Sequence, residues 1–164
     1  MLRLIKNIAT IALMAVVSGC ASDNVHMPEP DTRPTEERIE GEIVSWIPAF
    51  ADVFAPVHNE NFAEIRWLNS AHSRADLVIG EFSLYIDIVD MHITIGEMTI
   101  ENLSFACGDD GSASFSRPDF EAMAGQYHTT GSISGTYSEG NISFEMEYKP
   151  GSMPFLVKST FSSK

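Results

Sequence analysis

Residues 131–155 read GSISGTYSEGNISFEMEYKPGSMPF. Apolar and polar side chains alternate from Ile142 to Tyr148, which is the period of a β-strand with one buried face. Ser138-Glu139-Gly140 predicts a three-residue hairpin loop with Gly140 in the left-handed conformation. Lys149-Pro-Gly-Ser152 predicts a type II turn. Residues 129–161 are therefore predicted to form a three-stranded antiparallel meander, whose last strand runs from Met153 to Phe161.

The same alternation extends toward the amino terminus. Residues 80–89 are predicted to form a strand that buries Phe82, Leu84, Ile86 and Ile88. Residues 39–47 and 62–68 are further strand candidates, and residues 77–79 either form a separate strand or lead into the next one. The apolar parity shifts within residues 92–105, so Gly96-Glu97 is either a two-residue turn or a bulge.

Two short segments break the strand pattern. Residues 48–57 place Phe50, Val53, Phe54 and Val57 at helical spacing after a proline, which predicts a brief helix that ends at Pro56. Residues 118–124 are predicted to form another helical turn or two. In an all-β domain, such segments are expected to cap an open end.

Seven or eight short strands with little helical periodicity predict an all-β domain, either a small barrel or a sandwich. Closure into a barrel is favoured because it removes exposed strand edges. One face of residues 129–137 carries Gly131 and Gly135. These glycines either bend the strand or leave space in the interior, and bending is favoured.

A family resemblance rests on Gly131-Ser-Ile-Ser-Gly-Thr-Tyr137, Asn141-Ile-Ser-Phe-Glu-Met-Glu-Tyr148 and Lys149-Pro-Gly-Ser-Met-Pro-Phe155, together with residues 80–89 and Ile93-Thr-Ile-Gly-Glu97. Over residues 39–162 the chain resembles the calycin-like, lipocalin-like lipoproteins of Bacteroides-type bacteria. The resemblance implies a small antiparallel up-and-down β-barrel of about eight strands, a lipid-anchored domain and no established chemistry. Residues 48–60 depart from the plain hairpin that the family has there.

The amino terminus has the layout of a secretory signal. Arg3 and Lys6 precede an apolar run that ends in Val17-Ser-Gly-Cys20. The segment resembles the bacterial lipoprotein signal, which implies that residues 1–19 are removed and that Cys20 carries acyl groups such as palmitate. A multiply acylated cysteine anchors a protein at a membrane without a spanning segment. Ala21-Ser-Asp-Asn24 contains one acid and weakly resembles surface-export signals, so the outer membrane is expected and its face is left open.

Residues 20–38 are predicted to be a proline-rich tether, and residues 39–164 the barrel domain. If fully extended, the tether reaches roughly 55 Å. The chain has 23 acidic and 10 basic residues, a net charge of −13, and removal of Arg3 and Lys6 makes it more acidic. This charge excludes nucleic acid and an anionic lipid surface as partners. A cationic ligand or partner remains compatible.

Catalytic and metal-binding residues are not predicted. The five histidines, at positions 26, 58, 72, 92 and 128, lack metal-ligand spacing. Gly108-Asp-Asp-Gly-Ser112 is expected to be a solvated hairpin tip, since it lacks the spacing of a calcium loop. Gly131-Ser-Ile-Ser-Gly135 does not place serine at the centre of a nucleophile elbow. We therefore expect no enzyme activity and no cofactor.

Glu145 and Glu147 share one strand face and are expected to point into solvent. With Cys20 acylated, Cys107 is expected to be a small buried or half-buried thiol outside any intramolecular disulfide.

Two functions remain. The barrel either binds a small apolar ligand, or its own side chains fill it and it acts through its surface and protein partners. The side chains that would line the cavity or fill it are the same: Phe82, Leu84, Ile86, Phe144, Met146 and Tyr148. A cavity larger than roughly 300 Å³ separates the two cases.

Overall fold

The structure is a computed structural model, and it describes residues 35–86 and 90–164. The predicted signal peptide, Cys20, most of the tether and Ile88 lie outside the described residues. Ten strands and one 3-10 helix make up the described chain: β1 (Glu36–Trp46), η1 (Pro48–Phe50), β2 (Val57–Trp67), β3 (Arg74–Ile79), β4 (Phe82–Ile86), β5 (Met91–Ile95), β6 (Met98–Cys107), β7 (Ala113–Ala124), β8 (Tyr127–Ser138), β9 (Asn141–Pro150) and β10 (Val157–Ser163).

Eight of these strands close into an antiparallel barrel. The order around the barrel is β1-β2-β3-β6-β7-β8-β9-β10, and β10 pairs with β1 to complete the circle. Neighbours in this circle follow one another in the chain except at one place, where β4 and β5 form a separate two-stranded sheet between β3 and β6. The structure confirms the predicted all-β, up-and-down barrel of eight strands.

The barrel has two distinct ends. We call the end where β1 begins the tether end, because the proline-rich segment precedes Glu36; it also carries the turns at residues 68–73, 108–112 and 139–140. The opposite, distal end carries residues 47–56, the β4–β5 hairpin and residues 151–156. In the part of the chain that the structure describes, we find no helix with the length and apolar character needed to cross a bilayer.

Strand alternation places one face of each strand in the barrel core. In β9, Ile142, Phe144, Met146 and Tyr148 are buried, whereas Glu145 is exposed and Glu147 is half-buried beside Lys158. Both glutamates lie on the outer face, as predicted. Burial of the apolar face is the main favourable term in folding such a barrel.

The β8–β9 turn differs from its prediction. Ser138 pairs with Asn141, so the turn has two residues, Glu139 and Gly140, instead of three. Both have positive φ, 49° and 76°, which is the type I′ geometry that matches the twist of a hairpin. The left-handed conformation of Gly140 is confirmed. The last strand begins at Val157 and not at residue 153.

The apolar parity shifts at two places within residues 92–105. The first is at Gly96-Glu97, which is the link by which the chain leaves the β4–β5 sheet and enters the barrel, not a hairpin turn or a bulge. The second occurs later, where Leu77 pairs with Ile100 and Ala75 pairs with Leu103. Two residues of β6 then oppose one residue of β3, and Asn102 has a φ of 60°. This is a β-bulge, which turns Leu103 back to the core.

The helical predictions fail in large part. Within residues 48–57, only Pro48–Phe50 forms a short 3-10 helix. Residues 118–124 are not helical but belong to β7, whose pairing with β8 shifts register between Arg117 and Phe120. This irregularity moves the buried set onto Phe120, and from there strand alternation continues to Ala124. Residues 77–79 belong to a strand of their own, β3.

Candidate functional site: an apolar pocket at the distal end

A pocket of about 520 Å³ opens at the distal end of the barrel. Within residues 35–86 and 90–164, its lining consists only of apolar residues, contributed by three separate connections of the chain. We call it the distal pocket, and it is lined by Ile47, Phe50, Val53, Phe54, Ile86, Met91, Ile93, Met153, Pro154 and Phe155. Its volume lies within the range of roughly 300–1,000 Å³ that is typical of small-molecule sites.

The first wall is the connection between β1 and β2. Pro48 opens the 3-10 helix, where its missing N–H and fixed φ carry no penalty. The Phe54 N–H donates to the Phe50 carbonyl at 2.9 Å, which continues the turn. Residues three and four apart on such a turn share a face. Three of the four apolar residues that predicted a helix, Phe50, Val53 and Phe54, therefore line the pocket, although the regular helix is shorter than predicted; Val57 begins β2 instead.

The second wall is the β9–β10 connection. The Met153 N–H donates to the Pro150 carbonyl at 3.1 Å, which closes the turn after β9. Phe155 then packs edge-on against Phe50, with 4.6 Å between the ring centroids, and Phe50 packs edge-on against Phe54 at 5.5 Å. Edge-to-face contacts of this kind hold aromatic rings in defined orientations. These ring contacts between three phenylalanines join the first wall to the second.

The third wall is the β4–β5 hairpin. Ile86 pairs with Met91 and Leu84 pairs with Ile93. Ile86, Met91 and Ile93 face the pocket, whereas Phe82 and Leu84 are buried in the core of the barrel. The hairpin thus closes the distal end of the barrel with one part of its apolar surface and borders the pocket with another.

The structure separates the residues that the sequence grouped as a ligand lining. Phe82, Leu84, Phe144, Met146 and Tyr148 are buried within one continuous core. Ile86 alone among the predicted lining residues borders the distal pocket. Side chains form a continuous buried cluster in the barrel interior, as eight strands allow, and the distal pocket is lined mainly by residues of the connections at the barrel end.

Glycines in β8 make room for this filling. Gly131 pairs with Tyr148 and Gly135 pairs with Phe144. A Cβ at Gly131 would lie 2.6 Å from the Tyr148 Cβ, and a Cβ at Gly135 would lie 2.7 Å from the Phe144 Cβ. Aromatic side chains therefore occupy the space that the glycines leave, so these glycines do not mark an empty cavity.

A small polar network lies inside the filled interior. The Tyr148 hydroxyl is 3.0 Å from Ser159 Oγ, and Ser159 Oγ is 2.7 Å from Ser45 Oγ. Burial raises the pKa of Tyr148 well above its usual range. Because each hydroxyl has a partner, the network fills the interior without unpaired polar groups.

An aromatic cluster fills the tether end. Trp67 stacks on His72 with 4.5 Å between ring centroids and meets Tyr137 edge-on at 5.6 Å. The Tyr137 hydroxyl donates to Glu37 Oε2 at 2.7 Å. The pKa of Tyr137 is raised, mainly by burial and to a lesser extent by this hydrogen bond. The Trp67 indole N–H is buried without an acceptor among the described residues.

The other surface depressions are mixed in character. One of about 620 Å³ is bordered by Arg117, Glu147 and Lys149, and one of about 600 Å³ by Glu81, His92 and Gln126. Exposed charges border both of them. The distal pocket is smaller than either, yet its wholly apolar lining makes it the best candidate for a small-molecule site.

The histidines and the acidic loop do not combine into a site. Within residues 35–86 and 90–164, no group of three or more His, Cys, Asp or Glu residues has a geometry that could hold a metal ion. His58 pairs with Glu42 and His128 with Glu121 at the surface. Asp110 accepts hydrogen bonds from the Ser112 N–H and hydroxyl, and these bonds lower its pKa. His26 lies outside the described residues.

Cys107 differs from its prediction in two ways. It lies at the exposed end of β6 and is not buried. It is also one half of a disulfide, and the described residues contain no second cysteine. The predicted buried, unpaired thiol is therefore wrong.

Comparison with protein-family models matches no family, and comparison with curated proteins also finds no match. A solved structure of a "putative outer membrane protein" from Bacteroides fragilis is similar, with a TM-score of 0.64 and 15% sequence identity. The match covers 79% of this chain and 50% of the other, so this chain spans about half the length of that protein. At this identity, the similarity shows a shared barrel fold.

Proposed function

We propose that this chain is a lipid-anchored cell-envelope protein whose distal pocket binds one small apolar molecule. The observation that carries the proposal is the pocket itself, a space of about 520 Å³ bordered, among the described residues, only by apolar side chains. Isolated large apolar side chains are common on protein surfaces, but a concave group of this size is typical of a binding site.

The arrangement of the two ends supports an anchored binding protein. The tether enters at one end of the barrel and the pocket opens at the other. A lipid at Cys20 would hold the tether end toward the membrane and leave the pocket accessible. The name of the Bacteroides fragilis protein with the same fold is compatible with an outer-membrane location, and we leave the face of the membrane open.

Native mass spectrometry of residues 21–164, secreted into a bacterial periplasm and exposed to an extract of the source cells, tests the binding function. This chain includes every strand of the barrel. We expect one reproducible bound mass that disappears on unfolding. Phe155→Asp should abolish it, because it places a charge in the apolar wall. Val53→Asp, at a more exposed position of the lining, is a second variant in case the first is poorly folded.

The matched control is Leu156→Asp. Leu156 is adjacent in the chain and exposed, and it borders the groove on the outer wall instead of the distal pocket. It therefore adds the same charge without changing the lining. Binding that survives both pocket variants, or that is lost equally in the control, would contradict the assignment.

The anchor requires a separate test. Cys20 is the one other cysteine of the chain, and a sulfur that carries a lipid cannot also form a disulfide with Cys107. We expect intact protein from membranes to carry acyl mass at Cys20. Cys20→Ala should release the protein from the membrane fraction. A Cys20–Cys107 disulfide without acyl mass, or continued retention of the variant, would refute lipid anchoring.

The filled interior favours a second function, in which the protein acts through its surface on protein partners. Phe144, Met146 and Tyr148 belong to one continuous cluster of buried side chains in the barrel interior, and the Phe144 and Tyr148 side chains lie close to Gly135 and Gly131. A clean unliganded mass after exposure to extract would favour this alternative.

A further inference from the structure

The two-stranded β4–β5 sheet has one closed edge and one open edge. Asn59 closes the outer edge of β4, because its side-chain N–H donates to the Ser83 carbonyl at 3.0 Å and its side-chain oxygen accepts from the Ser83 N–H at 3.2 Å. Both backbone groups of Ser83 therefore point away from β5. On its other side, β5 has no neighbouring strand among the described residues.

The hydrogen bonds of Ser83 show which backbone groups of β5 face outward. Ser83 pairs with Thr94. In an antiparallel pair whose residues do not bond each other, the N–H and C=O of both residues point away from the partner strand, and such pairs recur at every second residue. The backbone groups of Thr94 and His92 therefore lie on the open edge. Within residues 35–86 and 90–164, these four groups have no hydrogen-bond partner.

A groove of about 600 Å³, which we call the edge groove, lies along this open edge. Residues 91–94 of β5 form one wall, and residues 124–127, around the β7–β8 turn, form another. Residues 91–95 read MHITI and contain neither a charge nor a proline, which are devices that keep other chains from pairing with an edge strand. Because the turn closes the far side, the groove accommodates one extended segment more readily than the two-stranded sheet of a second copy.

The edge groove continues into an acidic depression of about 400 Å³. The two spaces are neighbours, since Gly96 borders the groove and the next residue, Glu97, borders the depression. Glu101 and Glu121 also border the depression, and strand alternation places both on the outer face of the barrel. Glu81 borders the groove itself. Among the described residues, neither lining contains a lysine or an arginine.

Basic side chains near these acids leave the surface negative. His128 pairs with Glu121 at 3.6 Å and Arg66 pairs with Glu64 at 2.6 Å. Arg117 donates to a backbone carbonyl of β6 and borders the separate groove on the outer wall. The net charge of the chain, −13, adds to the negative field. Charge complementarity therefore favours a basic segment as the occupant of the edge groove.

The chain's own tether does not have this chemistry. Residues 20–34 contain three prolines, which cannot donate to a ladder, and three acidic residues against one arginine.

We propose that the open edge of β5 binds an extended, basic segment of a partner protein by strand addition. The backbone groups of His92 and Thr94 pair with the segment, as in other complexes formed by strand addition. The acids along the groove and the depression favour lysine and arginine in the segment. This inference does not depend on ligand binding in the distal pocket.

Three labelled peptides test the inference by fluorescence anisotropy against residues 21–164 in about 10 mM salt. The first is Lys-Lys-Thr-Val-Thr-Val-Thr-Lys-Lys. The second has glutamate in place of each lysine. The third keeps the lysines but is N-methylated throughout its Thr-Val core, which removes the backbone donors and keeps the charge. We expect the first peptide to bind about tenfold more tightly than either of the others.

Substitutions in β5 test the pairing. Thr94→Pro removes an outward N–H that makes no bond to β4, and it should weaken binding of the first peptide about tenfold. Thr94→Val is the matched control, because it keeps this N–H, and it should bind within about twofold of wild type. His92→Pro is a second variant in case Thr94→Pro is poorly folded.

Neutralising the acids tests the selection by charge. Glu97→Gln combined with Glu101→Gln and Glu121→Gln should reduce the preference for the lysine peptide over the glutamate peptide from about tenfold to about threefold or less. The matched control neutralises three exposed acids that border neither space, and it should leave the preference within about twofold of wild type. These control substitutions are Asp109→Asn, Glu139→Gln and Glu145→Gln.

Three outcomes would overturn the inference. Equal binding of the N-methylated peptide would mean that the backbone of β5 does not pair with the segment. Equal binding of the lysine and glutamate peptides would mean that the acids do not select the partner. A dimer of the unliganded protein in sedimentation equilibrium, dissociated by Thr94→Pro, would replace the partner segment by a second copy of this chain.

Discussion

Replacement of Tyr148 by phenylalanine tests whether the barrel interior is filled. The Tyr148 side chain has no exposed surface, and its ring meets Phe82 edge-on with 6.5 Å between centroids. Phenylalanine keeps the ring and this contact. The change removes one hydroxyl, which lies 3.0 Å from Ser159 Oγ.

The loss of stability that we expect for Tyr148→Phe at neutral pH follows from this one hydrogen bond. A neutral hydrogen bond contributes about 0.5–1.5 kcal/mol to stability, and an abandoned buried partner costs more. Ser159 is not abandoned, because it keeps Ser45 at 2.7 Å. We therefore expect Tyr148→Phe to lower the free energy of unfolding by about 1 kcal/mol at pH 7, which corresponds to a fall in Tm of about 3–6 °C for a domain of this size.

The difference in the free energy of unfolding between the wild type and Tyr148→Phe should also depend on pH, and this dependence is more diagnostic than the value at pH 7. Burial raises the pKa of Tyr148 in the folded protein above the unfolded value of about 10. Below pH 10 the hydroxyl is protonated in both states, so its contribution to stability is fully present. Above pH 10 the unfolded state releases this proton and the folded state retains it. The unfolding equilibrium constant of the wild-type protein therefore rises by up to about tenfold per pH unit. The variant lacks this loss, and its deficit should vanish near pH 11.

Urea unfolding followed by circular dichroism at pH 7, 9, 10 and 11 measures this difference. Tyr127→Phe is the control, since Tyr127 is exposed and its replacement leaves the buried Tyr148–Ser159–Ser45 hydroxyl network intact. A deficit that stays constant from pH 7 to 11, or no deficit at pH 7, would mean that the Tyr148 hydroxyl contacts solvent. The interior would then contain an accessible cavity, and the conclusion that it is filled would be wrong.

Three glycine substitutions test the turns and the close packing of the barrel by thermal melting. Gly140→Val should cost about 1–2 kcal/mol through its positive φ of 76° alone, because no atom lies within 4 Å of the added Cβ; Gly140→Asn should cost less, and equal melting of both variants would exclude backbone strain. Gly96→Ala should lower Tm because its Cβ would lie 2.6 Å from the Gly125 backbone, and an unchanged Tm would contradict this close approach. Gly131→Ala should cost about 1–3 kcal/mol by overpacking, since its Cβ would lie 2.6 Å from the Tyr148 Cβ; a stable variant would indicate space beside that ring.

Local patterns predicted the parts of the fold that depend on local geometry. Alternation identified β9 because the two faces of a strand differ in polarity, and Gly140 was identified because few other residues adopt positive φ at low cost. The same reasoning failed at residues 118–124. There a proline and a break in alternation resemble a helix start, but the cause is a register shift within β7 that depends on its pairing with β8.

The candidate site was only partly predictable. Phe50, Val53 and Phe54 were recognised as one apolar face, yet nothing local indicated that Phe155, a hundred residues later, would pack against Phe50. A signal was present in the apolar connections 47–57 and 153–156, since connections on a protein surface are usually polar. Such a signal identifies each wall separately and does not show that the walls meet.

The sequence by itself determined an all-β chain of short antiparallel strands, because the period of apolar side chains and the chemistry of turns are properties of neighbouring residues. Only the tertiary structure decided which strands close the barrel, that Tyr148 and Phe144 occupy the space beside Gly131 and Gly135, and that the pocket lies at the distal end. The physical reason is that cavities and core packing depend on side chains brought together by chain closure, and their separation along the sequence carries no information about the distance between them.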